Sequence, residues 1–309
     1  VDYDILILAL GARARRLEAP GADLAGVLEL RDASDADRLK AALVPGRKLV
    51  VVGGGYVGLE AAASARALGC EVVVVEREDR LLARVASRPL SDFFAAHHAV
   101  QGVEILTGAT VAGFEGKDGA VNGVRLSDGR TIPCDVALVG IGGVANVELA
   151  RDAGLACADG VVVDLEARTE DPAIFALGDM THRPMPLYDR NFRLESVPNA
   201  LEQAKQAASA IVGRNPPAGE VPWFWSDQYD LKLQIAGVPF DADQIVVRGE
   251  GGAAPLAVFH LREGRVLAVE AVNAPAEFMG GRVLIAKGVQ VDIGRLADVS
   301  IPMKSLITA

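Results

Sequence analysis

The 309-residue sequence has few cysteines, few aromatic residues and a deficit of basic relative to acidic side chains. Its three cysteines, Cys70, Cys134 and Cys157, are far apart and show neither a C-x-x-C pair nor a metal-binding spacing. We therefore expect no disulfide framework, and we expect Cys70 and Cys134, which lie beside apolar strands, to be buried thiols. The net charge of −10 argues against general binding to nucleic acid.

Long hydrophobic runs are also missing, because the longest apolar stretches have the length of strands. The sequence shows no signal peptide either, so it predicts no membrane span. Together with the absence of a disulfide framework, this favours a reducing, cytoplasmic location.

Glycine, in contrast, is abundant, and its most informative run lies in the stretch KLVVVGGGYVGLEAAASARALGCEVVVVE, residues 48–76. Gly53, Gly55 and Gly58 fit G-x-G-x-x-G directly after a β-branched apolar run that predicts a buried parallel strand. The first glycine permits a sharp turn, the second lets the backbone approach a diphosphate, and the third lets the helix lie close to the strand. The stretch therefore predicts a strand, a dinucleotide-binding turn and a helix that ends at Gly69.

An acidic residue, Glu76, ends the second apolar strand of this stretch, 23 positions after Gly53. An acid at this place accepts hydrogen bonds from a ribose 2′-hydroxyl and repels a 2′-phosphate, which favours NADH over NADPH. Arg77 follows at once and can partly accommodate a phosphate, so NADPH stays an alternative. A parallel-sheet turn that serves packing alone and binds no ligand is the other interpretation.

The rest of the chain alternates helical and strand patterns. We expect a helix over residues 32–43, with Ser34 and Asp37 forming an approximate capping box, and another over residues 87–98. His97 and His98 in the second helix have no third ligand nearby, so we interpret them as solvated rather than metal-binding.

Turn signals define the later segments. Residues 103–132 carry two hairpin signals and predict a small antiparallel excursion before a buried strand at residues 136–139. We expect a proline-containing loop over residues 180–192, a long helix over residues 195–212, and several strands followed by a helix in the remainder.

With these elements placed, the chain resembles the FAD-dependent, NADH-using ferredoxin reductases of the putidaredoxin, rhodocoxin and biphenyl-dioxygenase reductase type. The segments that carry the resemblance are GGGYVGLEAA (53–62), the GIG turn (140–142), IFALGD (174–179), LYDRNFRLESVPNALEQA (187–204) and PWFWSDQYDLKLQIAG (222–237). The last two are specific to this group, whereas the first three occur in many flavoproteins that bind two dinucleotides.

The resemblance implies an α/β fold with two Rossmann-like dinucleotide-binding domains and a C-terminal α+β domain. The expected parts are a remnant of the FAD-binding domain with a linker (1–21), an NADH-binding domain (22–145), the second part of the FAD-binding domain (146–220) and a C-terminal interface domain (221–309). In the family the first half of the FAD domain has its own glycine motif, which this sequence lacks. Because the chain also opens near a strand without an initiating methionine, we expect an N-terminally truncated fragment, and FAD binding by this chain alone stays open.

The function implied by the resemblance is transfer of a hydride from NADH to FAD, followed by single-electron transfer to a two-iron, two-sulfur ferredoxin that serves an oxygenase. The predicted NADH-binding residues are Gly53, Gly55, Tyr56, Val57, Gly58, Glu76, Arg84 and Gly142. The predicted FAD-binding residues are Gly11, Arg31, Gly178, Asp179 and Val197.

Each FAD-binding candidate has a chemical reason and an ordinary alternative. Asp179 follows Gly178 at a strand end, where its carboxylate can accept the hydroxyls of the ribityl chain, although such a pair also makes plain turns. Val197 opens a helix whose backbone N–H groups can face the flavin's pyrimidine edge, although every helix needs capping. Arg31 matches an arginine that touches FAD in the family, and its alternative is a surface cation.

The predicted catalytic residues are Glu60 and Trp225. The family pairs the glutamate at the position of Glu60 with a lysine beside the flavin, whereas the alternative is a solvent-facing acid near a helix N-terminus. The family places the tryptophan matching Trp225 against the flavin on the side that faces ferredoxin, whereas the alternative is a core aromatic residue. Candidate basic contacts for an acidic ferredoxin are Arg190, Arg193 and Lys304.

Two other functions stay open. One is a related flavin-dependent NADH reductase that acts on a disulfide, a peroxide or a quinone-like acceptor. The other is a non-catalytic fragment that binds a dinucleotide.

Overall fold

Residues 2–21 supply two short strands to sheets that later parts of the chain complete. The computed structural model describes residues 2–250 and 255–307, and its first strands are β1 (Leu6–Leu8) and β2 (Ala12–Ala14). β1 lies parallel to Ile174–Ala176, and β2 lies antiparallel to Gly143–Ala145. The start of the chain is therefore joined to two distant segments.

Residues 22–145 contain a five-stranded parallel sheet and a small antiparallel sheet, together with three helices. The helices are α1 (Ala33–Ala42), α2 (Tyr56–Ala67) and α3 (Arg88–Val100). The strands are β3 (Val27–Leu28), β4 (Lys48–Val52), β5 (Glu71–Val75), β6 (Val103–Leu106), β7 (Val111–Lys117), β8 (Ala120–Leu126), β9 (Thr131–Pro133), β10 (Val136–Val139) and β11 (Gly143–Ala145).

The parallel sheet has the order β3-β10-β4-β5-β6, and the antiparallel sheet has the order β7-β8-β9. The central strand β4 is apolar and buried on both faces at residues 49–52, which is why its sequence shows no alternation. The predicted antiparallel excursion is confirmed, and β7 and β8 are joined at Asp118 and Gly119, both of which have positive φ. The carboxyl end of β4 leads directly into the glycine turn before α2.

Residues 146–220 form a helix, a small mixed sheet and one long helix. The helices are α4 (Glu148–Asp152) and α5 (Val197–Ile211). The strands are β12 (Cys157–Ala158), β13 (Gly160–Val162), β14 (Ile174–Ala176), β15 (Thr181–Met185) and β16 (Arg190–Phe192).

The loop predicted over residues 180–192 is wrong, because this segment forms the hairpin β15–β16. Pro184 suggested a loop because it cannot donate to a sheet ladder. On one side of β15, however, strand β13 pairs only with Thr181 and His182. Pro184 therefore has no hydrogen bond to donate on that side.

Residues 221–307, as far as the structure describes them, form an antiparallel sheet of order β17-β18-β21-β20-β19 covered by helices. The strands are β17 (Trp223–Gln228), β18 (Leu231–Gly237), β19 (Gln244–Gly249), β20 (Leu256–Arg262) and β21 (Arg265–Val272). The helices are α6 (Pro275–Lys287), α7 (Ile293–Ala297) and α8 (Met303–Ile307). Within the described ranges, no helix combines the length and the apolar character that a membrane crossing requires.

The C-terminal sheet packs on the helices of the parallel sheet. One continuous hydrophobic cluster contains Leu59 of α2 and Phe94 of α3 together with Leu233 of β18 and Val258 of β20. Burial of this shared apolar surface holds the C-terminal sheet beside the glycine turn. The predicted α/β fold class is confirmed.

The start of α1 differs from the prediction. Asp32 is the N-cap, and its side chain accepts the Asp35 N–H at 2.9 Å, while the Asp35 carboxylate accepts the Asp32 N–H at 3.2 Å. The capping box is therefore Asp32–Asp35 and not Ser34–Asp37. The helix begins at Ala33, so its third position is Asp35, and Ser34 lies inside the first turn.

The solvated positions predicted for the two histidines are also wrong. His98 is 0% exposed, and His97 lies against Tyr229 and Asp230. The turn between β17 and β18 covers this end of α3, a contact that spans more than a hundred residues of sequence. A metal site is not indicated either, since no group of three or more ligand-type side chains in the described ranges is suited to hold an ion.

Candidate functional site

The glycine turn after β4 is held in place by close backbone contacts. Gly53 has a φ of +108°, and a Cβ atom there would lie 2.4 Å from the Gly140 carbonyl oxygen at the end of β10. At Gly58 in α2, a Cβ atom would lie 2.2 Å from the Gly53 carbonyl oxygen. Both positions therefore require glycine, the first for its turn and the second because the helix crosses so close to the strand.

The N-terminus of α2 is open. Its N-cap is Gly55, which makes no side-chain capping bond, and a Cβ atom at Gly55 would meet no atom within 4 Å. The first N–H groups of this 12-residue helix thus have no side-chain partner and border free space. Backbone N–H groups at the positive end of a helix bind phosphate, so the diphosphate of a dinucleotide fits this turn.

The Glu76 carboxylate lies beside the same turn. Its Oε2 accepts the Gly54 N–H at 2.7 Å, and its Oε1 accepts the Glu78 N–H at 2.8 Å. These bonds fix an acceptor where the strand β5 ends, as binding of a ribose hydroxyl requires. Arg77 is exposed and pairs with Glu78 at 2.9 Å.

The other predicted NADH-binding residues surround this turn. The Tyr56 ring contacts Phe224 at 5.0 Å between centroids, and the Tyr56 hydroxyl donates to the Val85 carbonyl at 3.3 Å. Val57 is 46% exposed. An Arg84 Nη2 atom lies 3.8 Å from the Cβ position of Gly142. The predicted set thus converges on one end of the parallel sheet.

The predicted FAD-binding residues meet in a second cluster. Arg31 donates to Asp179 at 2.7 Å, and its guanidinium lies 3.7 Å from the Cβ position of Gly11. Gly178 precedes Asp179 and lies against Ala200 of α5. Three segments far apart in sequence therefore place a cation and a carboxylate at the end of β14.

A buried donor without a partner lies next to this cluster. The Gly178 N–H donates to Gln203 Oε1 at 2.7 Å, while Gln203 Nε2 has no hydrogen-bond partner among the described residues. A carboxylate acceptor, a guanidinium and a spare amide donor suit the hydroxyl and phosphate groups of FAD. The residues present fit that cofactor.

The N-terminus of α5 and the tryptophans of β17 border one cavity of about 380 Å³. Val197, the first residue of α5, is 59% exposed, and Trp225 is 46% exposed and lies 5.6 Å from Trp223 between ring centroids. The cavity lining includes Leu194, Val197, Pro198, Leu201, Trp223 and Trp225. The predicted flavin-facing helix end and the predicted tryptophan are therefore close together.

The two clusters adjoin. A Cβ atom at Gly143, next to the Gly142 turn, would lie 3.1 Å from a carboxylate oxygen of Glu195, just before α5. Glu195 also pairs with Arg193. The turn at the end of β10 is therefore in contact with the segment that leads into α5.

Glu60 is half-buried in the second turn of α2 and is not the solvent-facing acid of the alternative interpretation. The Ser226 hydroxyl of β17 donates to Glu60 Oε1 at 2.5 Å. The pKa of the Glu60 carboxyl is raised from its ordinary value, mainly because the group is partly buried; the Ser226 hydrogen bond lowers the pKa in part, and the nearby charge of Asp227 raises it. The position brings a carboxyl group with a perturbed pKa next to the dinucleotide turn.

The predicted basic contacts differ in exposure. Arg190 pairs with Asp241 and lies over the Phe240 ring at 4.3 Å. The side chain of Arg193 is only 12% exposed and pairs with Asp159 at 3.2 Å as well as with Glu195. Because Arg193 is mostly buried and paired, we withdraw it as a surface contact.

Several residues near these clusters were missed as site residues from the sequence. They are His98, Glu195, Gln203, Ser226, Gln228 and Glu270. Only Ser226 and Gln228 had a signal, since both belong to the WSDQ segment whose alternation predicts one shared face. The others depend on contacts between distant segments.

Comparison with known proteins identifies the class to which this fold and these clusters belong. The family described as pyridine nucleotide-disulphide oxidoreductase matches residues 1–204, and the one described as reductase C-terminal matches residues 223–307. The chain therefore belongs to the pyridine nucleotide-disulphide oxidoreductases, with a reductase C-terminal domain.

Within this class, the chain is similar to ferredoxin reductases. A protein named "Probable ferredoxin reductase" from Castellaniella defragrans is 55% identical over 99% of this chain and 75% of its own length. Putidaredoxin reductase of Pseudomonas putida is 40% identical over 100% of this chain and 74% of its own length. A crystal structure of a covalent putidaredoxin reductase–putidaredoxin complex matches with a TM-score of 0.97 at 40% identity, over 100% of this chain and 75% of that one. The family predicted from the sequence motifs is confirmed.

Proposed function

We propose that the protein is the NADH-dependent reductase of an electron-transfer chain, and that it passes electrons through FAD to a two-iron, two-sulfur ferredoxin serving an oxygenase. This is the function that the sequence predicted, and the names of the relatives support it. One observation carries the proposal in the structure. Ser226 of β17 contacts Glu60 of the dinucleotide helix α2. Trp225, the residue before Ser226, lines the cavity at the start of α5.

The glycine turn binds the diphosphate of NADH in this proposal. The free N–H groups at the start of α2 accept the negative charge, and Gly55 leaves room for close approach. Glu76 accepts a ribose hydroxyl, Arg84 approaches the phosphate or ribose, and Gly142 borders the bound dinucleotide.

The cluster at the end of β14 holds FAD. Arg31 and Gln203 Nε2 supply donors, while the Asp179 carboxylate accepts hydroxyl groups. The N-terminus of α5 at Val197 would face the pyrimidine edge of the bound flavin, where a positive helix end favours negative charge. When bound, FAD supplies the change from two-electron to one-electron transfer that protein side chains do not perform.

In this proposal, Trp225 and the basic residues Arg190 and Lys304 form the ferredoxin side of the site. Trp225 is exposed beside the cavity, so its ring would lie between the bound flavin and a docked partner. Arg190 and Lys304 remain the basic contacts for an acidic partner, with charge complementarity acting mainly on association rate and specificity.

The proposal keeps the four parts predicted from the sequence, namely 1–21, 22–145, 146–220 and 221–309. The antiparallel pair β2–β11 and the sheet limits described above support these divisions. We also place the protein in the cytoplasm, which the three free cysteines support.

The test combines binding with turnover. The chain is titrated with NADH and with FAD separately, and the flavin-loaded protein is then mixed with NADH and a two-iron, two-sulfur ferredoxin. We expect saturable binding of both cofactors and absorbance changes of reduced ferredoxin. Oxidation of NADH without ferredoxin reduction would support another acceptor, such as a disulfide or a quinone. NADH binding without FAD binding would support the non-catalytic fragment.

A further inference from the structure

A row of buried polar side chains extends from Glu60 into the interface between the C-terminal sheet and the helices. Ser226 and Gln228 alternate along β17, so both point to the same face, and both are 1% exposed. His98 of α3 is 0% exposed and lies beyond Gln228. Tyr229, in the turn after β17, lies beyond His98.

Each neighbour in this row is within hydrogen-bond distance of the next. The Tyr229 hydroxyl is 3.4 Å from His98 Nδ1, and His98 Nε2 is 2.8 Å from Gln228 Oε1. Gln228 Nε2 is 3.0 Å from Ser226 Oγ, and Ser226 Oγ is 2.5 Å from Glu60 Oε1. The row thus connects α3 to the dinucleotide helix through one strand.

The chemistry of these groups gives the row a direction. Gln228 presents its carbonyl oxygen to His98, so a neutral His98 must carry its proton on Nε2 and accept at Nδ1. The Gln228 amide then donates to Ser226, and the Ser226 hydroxyl is left to donate to Glu60. Every donor therefore points toward Glu60, and a carboxylate that only accepts completes the row.

We propose that Ser226, Gln228 and His98 are positioning residues that hold Glu60 as an ionised carboxylate, oriented beside the dinucleotide turn. The inference rests on the proposed function for the role of Glu60 in the reaction. Desolvation lowers the pKa of His98, which agrees with a neutral ring in the row. The charge of Asp227, on the opposite face of β17, raises the pKa of Glu60 and so opposes the effect of the Ser226 hydrogen bond.

The row also links the protonation state of Glu60 to the tautomer of His98. If Glu60 gains its proton on Oε1, the atom next to Ser226 Oγ, the new hydroxyl donates to Ser226, and the hydroxyl of Ser226 then donates to the Gln228 carbonyl. The Gln228 amide turns over to allow this and donates to His98 Nε2, so the ring proton moves to Nδ1. The tautomer of His98 therefore reports the charge of Glu60 across the interface.

The test follows both groups by NMR in the full chain, without reliance on turnover. ¹³C-carboxyl glutamate and ¹⁵N-histidine labels are used, with Glu60→Gln and His98→Gln assigning the signals. We expect the wild-type His98 ring to be protonated at Nε2 near neutral pH. Titration of Glu60 in Ser226→Ala should occur at higher pH than in wild type, because removal of the Oγ donor leaves desolvation unopposed.

Ser226→Thr is the matched control, since it keeps a hydroxyl donor and should restore the wild-type titration of Glu60. Gln228→Leu should break the link, so that the His98 tautomer no longer changes when Glu60 titrates. In steady-state assays of the flavin-loaded protein, Ser226→Ala should lower kcat about tenfold at neutral pH, in line with loss of one charged hydrogen bond. The KM for NADH should change much less.

An unchanged Glu60 titration in Ser226→Ala, or a wild-type His98 protonated at Nδ1, would overturn the inference. These NMR outcomes do not depend on ferredoxin reduction. If the proposed function failed while both NMR results held, the row would stand as a coupled network without its role in electron transfer.

Discussion

Helices α2 and α3 start from the same parallel sheet but begin in opposite ways. α2 begins after Gly55, which makes no side-chain cap and borders open space. α3 begins after Ser87, whose hydroxyl accepts the Leu90 N–H at 3.3 Å. The Ser87 N–H and hydroxyl both donate in turn to the buried carboxylate of Glu270 in β21, the N–H at 2.8 Å.

Under the proposed function, the contrast separates a helix end that is left for a ligand from one that protein groups close. At α3 the N–H groups of Ser87 and Leu90 are satisfied by protein, and the Glu270 carboxylate joins the C-terminal sheet to the start of this helix. At α2 the corresponding groups are left for an external anion. One substitution can fill the open space at the start of α2. Another can remove the carboxylate that closes the start of α3.

The largest effect is expected when the closed helix end is opened. Glu270→Ala removes a carboxylate that is 2% exposed and leaves two buried Ser87 donors without their acceptor. We expect a loss of about 3 kcal/mol in the free energy of unfolding, measured by urea denaturation. Glu270→Gln keeps one acceptor oxygen and should lose clearly less. Equal losses in the two variants would mean that side-chain volume, not hydrogen bonding, closes α3.

The next effect concerns the contact that positions the open helix end. Gly58→Ala places a Cβ atom 2.2 Å from the Gly53 carbonyl oxygen, so α2 must move away from β4. We expect a loss of about 2 kcal/mol in unfolding free energy together with weaker NADH binding, measured by denaturation and by fluorescence titration. A stable Gly58→Ala variant with unchanged NADH affinity would contradict the role of this close approach.

Gly55→Ala is the matched control, and it tests the open space directly. The new methyl group meets no protein atom within 4 Å, so unfolding free energy should change by less than about 1 kcal/mol. NADH affinity should nevertheless fall about tenfold, since the methyl group occupies the place where the diphosphate approaches. Full NADH affinity in this variant would show that the ligand binds away from the helix end.

The smallest effect is expected for nucleotide choice. Glu76→Ala removes an acceptor for the ribose hydroxyl and the charge that repels a 2′-phosphate. We expect the ratio of NADH to NADPH affinity to fall about fivefold, measured by parallel titrations. Arg77→Ala is the comparison variant. If Arg77 contacts the 2′-phosphate, the double variant with Glu76→Ala and Arg77→Ala should gain less NADPH affinity than Glu76→Ala alone. No change in the ratio would place the ribose elsewhere.

The open helix end was predictable from sequence because all of its causes are local. Gly53, Gly55, Gly58 and Glu76 lie within one strand–turn–helix–strand unit, and a short apolar run with glycines is enough to define it. Arg31 was assigned by resemblance and Asp179 by its place after Gly178 at a strand end, and the structure joins them across 148 positions of sequence.

The closed helix end was not predictable, because its causes come from distant segments. Glu270 of β21 meets Ser87 across 183 positions of sequence. His98 was assigned to solvent because its own helix is polar there, and a turn 131 positions away covers it. Pairings of this kind depend on how the sheets pack, which hydrophobic periodicity does not encode.

The pairing of β2 with β11 has a practical consequence for the molecule. Ala14 lies opposite Gly143, and the Arg15 N–H donates to the Gly142 carbonyl at 2.8 Å, so the chain enters and leaves the glycine-turn domain at one point. A segment excised at the β2–β11 pair has neighbouring ends. Its exchange for the matching segment of a related reductase therefore needs no new linker. In the proposed assignment, the segment that binds the electron donor thus begins and ends at one point of the molecule.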